Sequence, residues 1–213
     1  MKLEDMIGDP PLIAILRGLL PAEAPVIGEA LFEAGFCNLE VPLNSPSPFR
    51  SIAVLRAQLA GRVKVGAGTV LTTGEAKEAE SAGAQFIVSP NVDPAVIEAT
   101  KAANLVSFPG VLTPTEALVA LAAGADALKL FPAEASSPEA LKALLAVLPF
   151  RTAVLPVGGV EASTMAAWRA AGASGFGIGG AIWSPGRNPE VVERRARALV
   201  TAWRRLMLAE ARS

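Results

Sequence analysis

Two side chains carry the chemistry that this sequence suggests, Lys129 and Glu40. Lys129 lies in Ala127-Leu128-Lys129-Leu130-Phe131-Pro132, a short apolar run that reads as a buried strand. Burying an ammonium is costly unless it is paired, solvated at a strand end or partly neutral. A lysine whose charge is discouraged becomes a free amine nearer neutral pH, and a free amine attacks carbonyls. One reading is therefore Schiff-base chemistry. The other is a strand-end lysine that pairs with a carboxylate or extends its head to water. Glu40 sits in a second such run, where alternation puts Asn38, Glu40 and Pro42 on one face and Leu39, Val41 and Leu43 on the other. Ala127, Lys129 and Phe131 likewise share a face opposite Leu128 and Leu130. The aliphatic faces suit contact with helices, which turns both charged groups inward. The pair then reads either as a core ion pair, whose attraction desolvation offsets, or as a nucleophilic amine beside a proton-transferring carboxylate.

Both residues need a frame that brings distant strands together. Short apolar runs alternate with alanine-rich amphipathic stretches along the whole chain. The expected strands are Leu12–Leu16, Leu39–Leu43, Val63–Ala67, Phe86–Ser89, Leu105–Phe108, Ala127–Phe131, Ala153–Val157 and Ser174–Ile178. The expected helices are Ala22–Ala34, Pro48–Ala60, Thr73–Ala82, Pro94–Ala103, Pro114–Ala123, Pro138–Ala146, Ser163–Ala171 and Pro189–Ala209. Asp93-Pro94, Thr113-Pro114 and Ser137-Pro138 carry the N-cap and first-turn proline signature. Gly35, Gly83, Gly124 and Gly172 follow alanine at helix exits, as left-handed terminators do. Eight strands alternating strictly with eight helices predict an α/β fold, a (β/α)8 TIM barrel, with Met1–Asp9 as a short N-terminal helix against one end. A doubly wound open sheet is the structural alternative. It more often carries a glycine-rich phosphate turn after its first strand, and Arg17-Gly18 does not match that turn. No linker or composition break divides the chain, so residues 1–213 read as one domain.

In such a barrel the C-terminal strand ends hold the chemistry. Arg17 ends the first strand and could contact phosphate or carboxylate, or form a rim ion pair. Asn44 and Ser45 follow the second, to bind substrate or to make a turn. Thr69 follows Gly66-Ala67-Gly68 and could hold a carboxylate or cap a turn. Ser89-Pro90-Asn91 closes the fourth strand and puts Pro90 at the mouth. Phe131 offers an apolar wall beside the amine, or simply core packing. Gly158-Gly159 and Gly179-Gly180 follow the seventh and eighth strands, where barrel enzymes commonly bind phosphate through backbone N–H groups.

Composition narrows the field. Among 213 residues there is no histidine and no tyrosine, which excludes His-based triads, His-ligated zinc and Tyr acids. Proton transfer is left to Glu, Asp, Lys or water. The single Cys37 excludes an internal disulfide and suits a reducing cytoplasm. A net charge of −1 gives no electrostatic case for nucleic acid or an anionic membrane. Mean hydropathy is high at +0.43, yet no run reaches the roughly 20 apolar residues of a membrane span. The start, Met1-Lys2-Leu3-Glu4-Asp5, lacks the order of a signal peptide. Excess apolar surface suits a parallel sheet covered on both faces, or an oligomer.

Several segments together resemble the KDPG/KHG aldolases, class I enzymes acting on 2-keto-3-deoxy-6-phosphoaldonates. They are Leu12-Ile13-Ala14-Ile15-Leu16-Arg17-Gly18, Glu40-Val41-Pro42-Leu43-Asn44-Ser45-Pro46, Gly66-Ala67-Gly68-Thr69-Val70-Leu71, Ser89-Pro90-Asn91, Leu128-Lys129-Leu130-Phe131-Pro132 and Val157-Gly158-Gly159. The resemblance implies a Schiff base between pyruvate and Lys129, with Glu40 as general acid and base. It implies Thr69 at the pyruvyl carboxylate, glycine-loop amides on phosphate, no metal, no cofactor and a homotrimer in the cytoplasm. It also implies a place in Entner–Doudoroff-type carbohydrate metabolism. The Pro-Leu-Asn-Ser-Pro and Val-Gly-Gly forms look more like the 6-phosphogalactonate members than the gluconate members, which usually carry an Arg in place of Asn44 and a Thr in place of Val157. Ala181 stands where a serine is frequent, leaving phosphate to backbone amides and Arg17. The expected substrate is thus 2-dehydro-3-deoxy-6-phosphogluconate, its galactonate epimer or both, with 4-hydroxy-2-oxoglutarate as a further candidate. The rival readings are a phosphate-binding barrel isomerase or epimerase and a metabolite-binding barrel without turnover.

Overall fold

Parallel strands alternate with helices throughout a computed structural model of the chain, which describes residues 3–212. The elements are α1 (Leu3–Ile7), β1 (Leu12–Ile15), α2 (Ala24–Glu33), β2 (Asn38–Pro42), α3 (Pro48–Gln58), β3 (Lys64–Gly68), α4 (Thr73–Ser81), β4 (Phe86–Val88) and α5 (Pro94–Ala102). There follow β5 (Val106–Phe108), β6 (Gly110–Val111), α6 (Pro114–Ala122), β7 (Leu128–Leu130), α7 (Pro138–Leu145), β8 (Val154–Pro156), α8 (Met165–Ala170), β9 (Phe176–Ile178) and α9 (Pro189–Glu210). The expected fifth strand ends at Phe108, and a further short strand, β6, follows Pro109, which has no N–H for a ladder. The expected seventh helix, Ser163–Ala171, opens late as α8, because the Thr164 hydroxyl bonds back to Glu161 instead of capping a longer turn.

The strands form a curled parallel sheet in two parts, β5-β4-β3-β2-β1-β9 and β6-β7-β8. One junction is Pro109, whose carbonyl accepts from Lys129 N at 2.9 Å. The other is a parallel bridge between Val157 and Gly177.

Alternation along the strands divides the core. Leu12, Ala14, Leu39, Val41, Val65, Ala67, Leu128, Leu130, Val154, Phe176 and Ile178 pack in one large cluster with the helices. Ile13, Phe86, Val88, Phe108, Ala127 and Leu155 form a second cluster on the other face. Helix α1 adds Leu3, Met6 and Ile7 to that second cluster. The Lys64 ammonium, at the start of β3, donates to the Met6 carbonyl. Helix α1 thus covers the N-terminal strand ends and leaves the C-terminal ends open. Met1 and Lys2 of the expected first helix lie outside the described residues.

The helix-start signals act as the sequence suggests. Asp93 accepts from Ala95 N at 2.9 Å, Thr113 from Glu116 N at 3.3 Å and Ser137 from Ala140 N at 3.2 Å. Each satisfies an N–H that the first helical turn leaves unpaired. Gly35, Gly83, Gly124 and Gly172 have φ of +97°, +92°, +97° and +109°, the left-handed exits expected of them. No helix among the described residues is long and apolar enough to cross a membrane.

Candidate active site

Glu40 sits on β2 between Leu39 and Val41, which face the helices, and so turns to the other side of the sheet. Lys129 does the same on β7 between Leu128 and Leu130. Both are buried, at 3% and 6% exposure. Neither side chain makes an ion pair or hydrogen bond with the other or with any described residue, so the two are coupled through space. Burial drives the Glu40 carboxyl above its ordinary 4.5, against the pull of Lys129 and Arg17. Burial drives the Lys129 ammonium below its ordinary 10.5; Glu40 opposes this and Arg17 assists it. The Lys129 Nζ stands 4.3 Å from the centroid of the Phe131 ring. Low polarity thus shifts both groups toward their neutral forms, a reactive amine and a carboxyl ready to hold or give a proton.

A cavity of about 670 Å³ opens at the C-terminal strand ends, within the usual range for small-molecule sites. Arg17, Phe131, Val157, Gly158, Gly159, Gly179 and Gly180 line it, as the sequence suggested. Lys129 and Glu40 are not on its wall. Each adjoins it through a neighbour, Phe131 against Lys129 and Ile15 paired in register with Glu40. The N–H groups of Gly159 and Gly180 donate to no described acceptor, which leaves them for an anion. A second groove beside α9, lined by Glu190, Glu193, Arg194, Arg197 and Arg205, holds neither Lys129 nor Glu40.

Three further expected site residues lie off the cavity wall: Thr69, Asn44 and Pro90. Asn44 is exposed on the turn after β2. Pro90 is half-buried, and its carbonyl lies where a Cβ at Gly110 would need to be, at 2.4 Å. Thr69 does not cap α4; Thr72 does, in a reciprocal capping box with Glu75. Thr69 instead has φ +57°, an outlying conformation for a β-branched residue and one that concentrates at functional sites.

The turn that carries Arg17 is held from three sides. The Trp183 indole N–H donates to the Arg17 carbonyl at 3.0 Å, and Gly18 N donates to Ser45 Oγ at 2.9 Å. Gly18 has φ +80°, and a Cβ there would lie 2.7 Å from Pro185 Cγ. The Ser45 hydroxyl oxygen therefore accepts from the loop. Trp183 and Glu134, both on the cavity wall, were not foreseen. Their only sequence signal is position: Trp183 follows Gly179-Gly180 by three residues, and Glu134 follows Lys129 by five.

The sequence matches the family described as KDPG and KHG aldolase over residues 3–193. The chain belongs to the KDPG and KHG aldolase family. It is 46% identical over 193 residues to a probable 2-dehydro-3-deoxy-6-phosphogalactonate aldolase of Rhizobium meliloti (strain 1021), covering 91% of each chain. It is 42% identical over 194 residues to the 2-dehydro-3-deoxy-6-phosphogalactonate aldolase of Escherichia coli (strain K12), covering 91% of this chain and 95% of that one. A solved structure described as native KDPGal superposes with a TM-score of 0.92 at 41% identity, covering 94% of this chain and 97% of the other. As an aldolase the chain is a lyase. Among the described residues no cluster of three or more His, Cys, Asp or Glu side chains could hold a metal ion.

Proposed function

We propose that this aldolase cleaves 2-dehydro-3-deoxy-6-phosphogalactonate to pyruvate and glyceraldehyde 3-phosphate, and accepts the gluconate epimer less well. The observation that carries the reading is a lysine buried at the inner face of β7, its pKa lowered by that burial, with Glu40 coupled to it from β2. The neutral Lys129 amine attacks the C2 ketone, and loss of water leaves a protonated imine. The Glu40 carboxylate takes the C4 hydroxyl proton. The C3–C4 bond breaks, its electron pair passes into the imine to give an enamine, and the aldehyde departs. Protonated Glu40 returns its proton to C3, and water hydrolyses the imine to pyruvate and free Lys129.

Thr69 is assigned to the pyruvyl carboxylate, and Phe131 to the apolar wall that shields the amine. Phosphate goes to the Gly159 and Gly180 amides with Arg17. Val157 sets the C4 preference. It is buried on the cavity wall, and its backbone is fixed by Val157 N to Leu130 O at 3.0 Å and Ala133 N to Val157 O at 2.9 Å. A methyl there offers no hydrogen bond, so it penalises the epimer whose C4 hydroxyl points at it.

The wider frame follows. The junctions at Pro109 and Val157–Gly177 support closure of the two sheet parts into one (β/α)8 barrel and a single domain over 1–213. The exposed Leu71, Leu112, Leu118 and Val119 offer apolar area for a homotrimer of cytoplasmic subunits, which light scattering tests.

Incubation with pyruvate and borohydride is the direct test. The expected result is a reduced pyruvate adduct on Lys129, absent from Lys129→Ala; a folded protein that yields no adduct refutes the aldolase mechanism. Rates on the two C4 epimers then test specificity. Val157→Thr is expected to move the ratio toward the gluconate epimer, and an unchanged ratio removes Val157 from that role.

A further inference from the structure

We infer that Glu134 is a specificity-determining residue, whose carboxylate accepts a hydrogen bond from the C5 hydroxyl of the substrate, the group that becomes the 2-hydroxyl of the departing aldehyde. The inference rests on the aldolase reading above. Glu134 stands on a 3-10 turn, Ala133–Ala135, tied to the end of β8 by Ala133 N to Val157 O at 2.9 Å. From there its side chain crosses to the glycine turn after β8. A Cβ at Gly158 would lie 1.9 Å from Glu134 Oε2, and one at Gly159 would lie 2.9 Å from Glu134 Cγ. Gly158 and Gly159 have φ of +114° and +61°, so the turn presents no side-chain atoms where the carboxylate lies.

This carboxylate faces the cavity without a protein partner. It lines the cavity wall and makes no hydrogen bond or ion pair with any described residue. An ionised carboxylate only accepts, so the ligand group that satisfies it must be a donor. A phosphate oxygen in the same place would meet like charge. Phosphate therefore keeps to the amides of Gly159 and Gly180, while Glu134 covers the α-carbon side of the first turn.

Order around the rim selects the donor. Lys129 is on β7, Glu134 follows β7 and reaches over the turn after β8, and Gly179-Gly180 follows β9. Glu134 thus stands between the imine lysine and the phosphate end. The proposed mechanism already uses C2 at Lys129 and the C4 hydroxyl at Glu40. The donor left between them and the phosphate is the C5 hydroxyl.

The test runs the reaction toward condensation, with pyruvate and either glyceraldehyde 3-phosphate or its 2-deoxy analogue. The two aldehydes share the phosphate and differ only in the hydroxyl, so the pair of substrates and the pair of proteins form a cycle. The parent is expected to prefer the hydroxylated aldehyde in kcat/KM by about 10-fold, as for a hydrogen bond to a charged acceptor. Glu134→Ala should bring the ratio close to one and Glu134→Gln to a value between, with pyruvate trapping on Lys129 unchanged in both. An unchanged ratio, an equal fall for both aldehydes, or a gain on both from relief of phosphate repulsion would overturn the assignment. A parent that traps no pyruvate sinks the aldolase reading itself; a parent that traps pyruvate but ignores the hydroxyl sinks only the role of Glu134. Glu134 is exposed, so thermal unfolding of both variants should match the parent.

Discussion

Glu40 occupies the space that a side chain at Gly68 would fill. A Cβ at Gly68 would lie 1.8 Å from Glu40 Oε1 and 2.5 Å from its Cδ. The two residues are on neighbouring strands, with Pro42 opposite Gly68 in the β2–β3 register. The position of the Glu40 carboxyl therefore depends on a glycine one strand away.

Gly68→Ala should consequently resemble loss of Glu40. We expect cleavage to fall by about 10² to 10⁴, the usual contribution of a positioned acid or base. Pyruvate trapping on Lys129 should persist. Stopped-flow cleavage assays beside borohydride trapping separate the two steps, and near-parental cleavage in Gly68→Ala would show that Glu40 has room elsewhere.

The charges around Lys129 set the sign of a pH response. Imine formation needs the free amine, so trapping should rise with pH through the pKa of Lys129, below the ordinary 10.5. Arg17 lowers that pKa and Glu40 raises it. Arg17→Ala should therefore move the midpoint up, and Glu40→Gln should move it down. Initial trapping rates at fixed pyruvate across about pH 6 to 10 read this directly; shifts in the opposite directions would refute the electrostatic account.

Trp183→Phe keeps most of the ring but removes the hydrogen bond to the Arg17 carbonyl. If Trp183 positions Arg17, KM for the phosphorylated substrate should rise about 3- to 10-fold, as for one lost hydrogen bond. The trapping midpoint should also move up, in the direction of Arg17→Ala but less far. A purely structural tryptophan would lower the melting temperature and leave the midpoint where it was.

The N-terminal helix is expected to matter for stability and not for chemistry. Ile7 is 1% exposed and packs with Ile13, Phe86 and Phe108. Ile7→Ala should cost about 2 to 5 kcal/mol in urea unfolding. Assayed well below its melting temperature, the variant should keep near-parental kcat, because α1 covers the strand ends opposite the cavity.

Much of the frame was legible because its signals are local. Proline after Asp, Thr or Ser opened helices, glycine closed them, and period-two alternation turned Lys129 and Glu40 to the inner face. The short strand after Pro109 was not read, because a proline at a strand end and a proline inside a bent strand look alike in one sequence. Among site residues, Arg17, Phe131, Val157 and the two glycine pairs meet at one cavity, while Asn44 stays on an exposed turn. Distance from a strand end gives height on the rim, but not whether a side chain bends inward.

The amino-acid sequence by itself determined the α/β alternation, the inward lysine and carboxylate, and motifs specific enough to indicate the aldolase family. Each depends on residues near one another in the chain, where spacing dictates conformation. The tertiary structure alone decided that Gly68 makes room for Glu40, that Trp183 holds the carbonyl of Arg17, and that Glu134 lies over Gly158. Those relations join residues brought together by sheet register and loop packing, across as many as 166 positions for Trp183 and Arg17. Contacts of that range are set by how the strands line up beside one another, which no local pattern encodes.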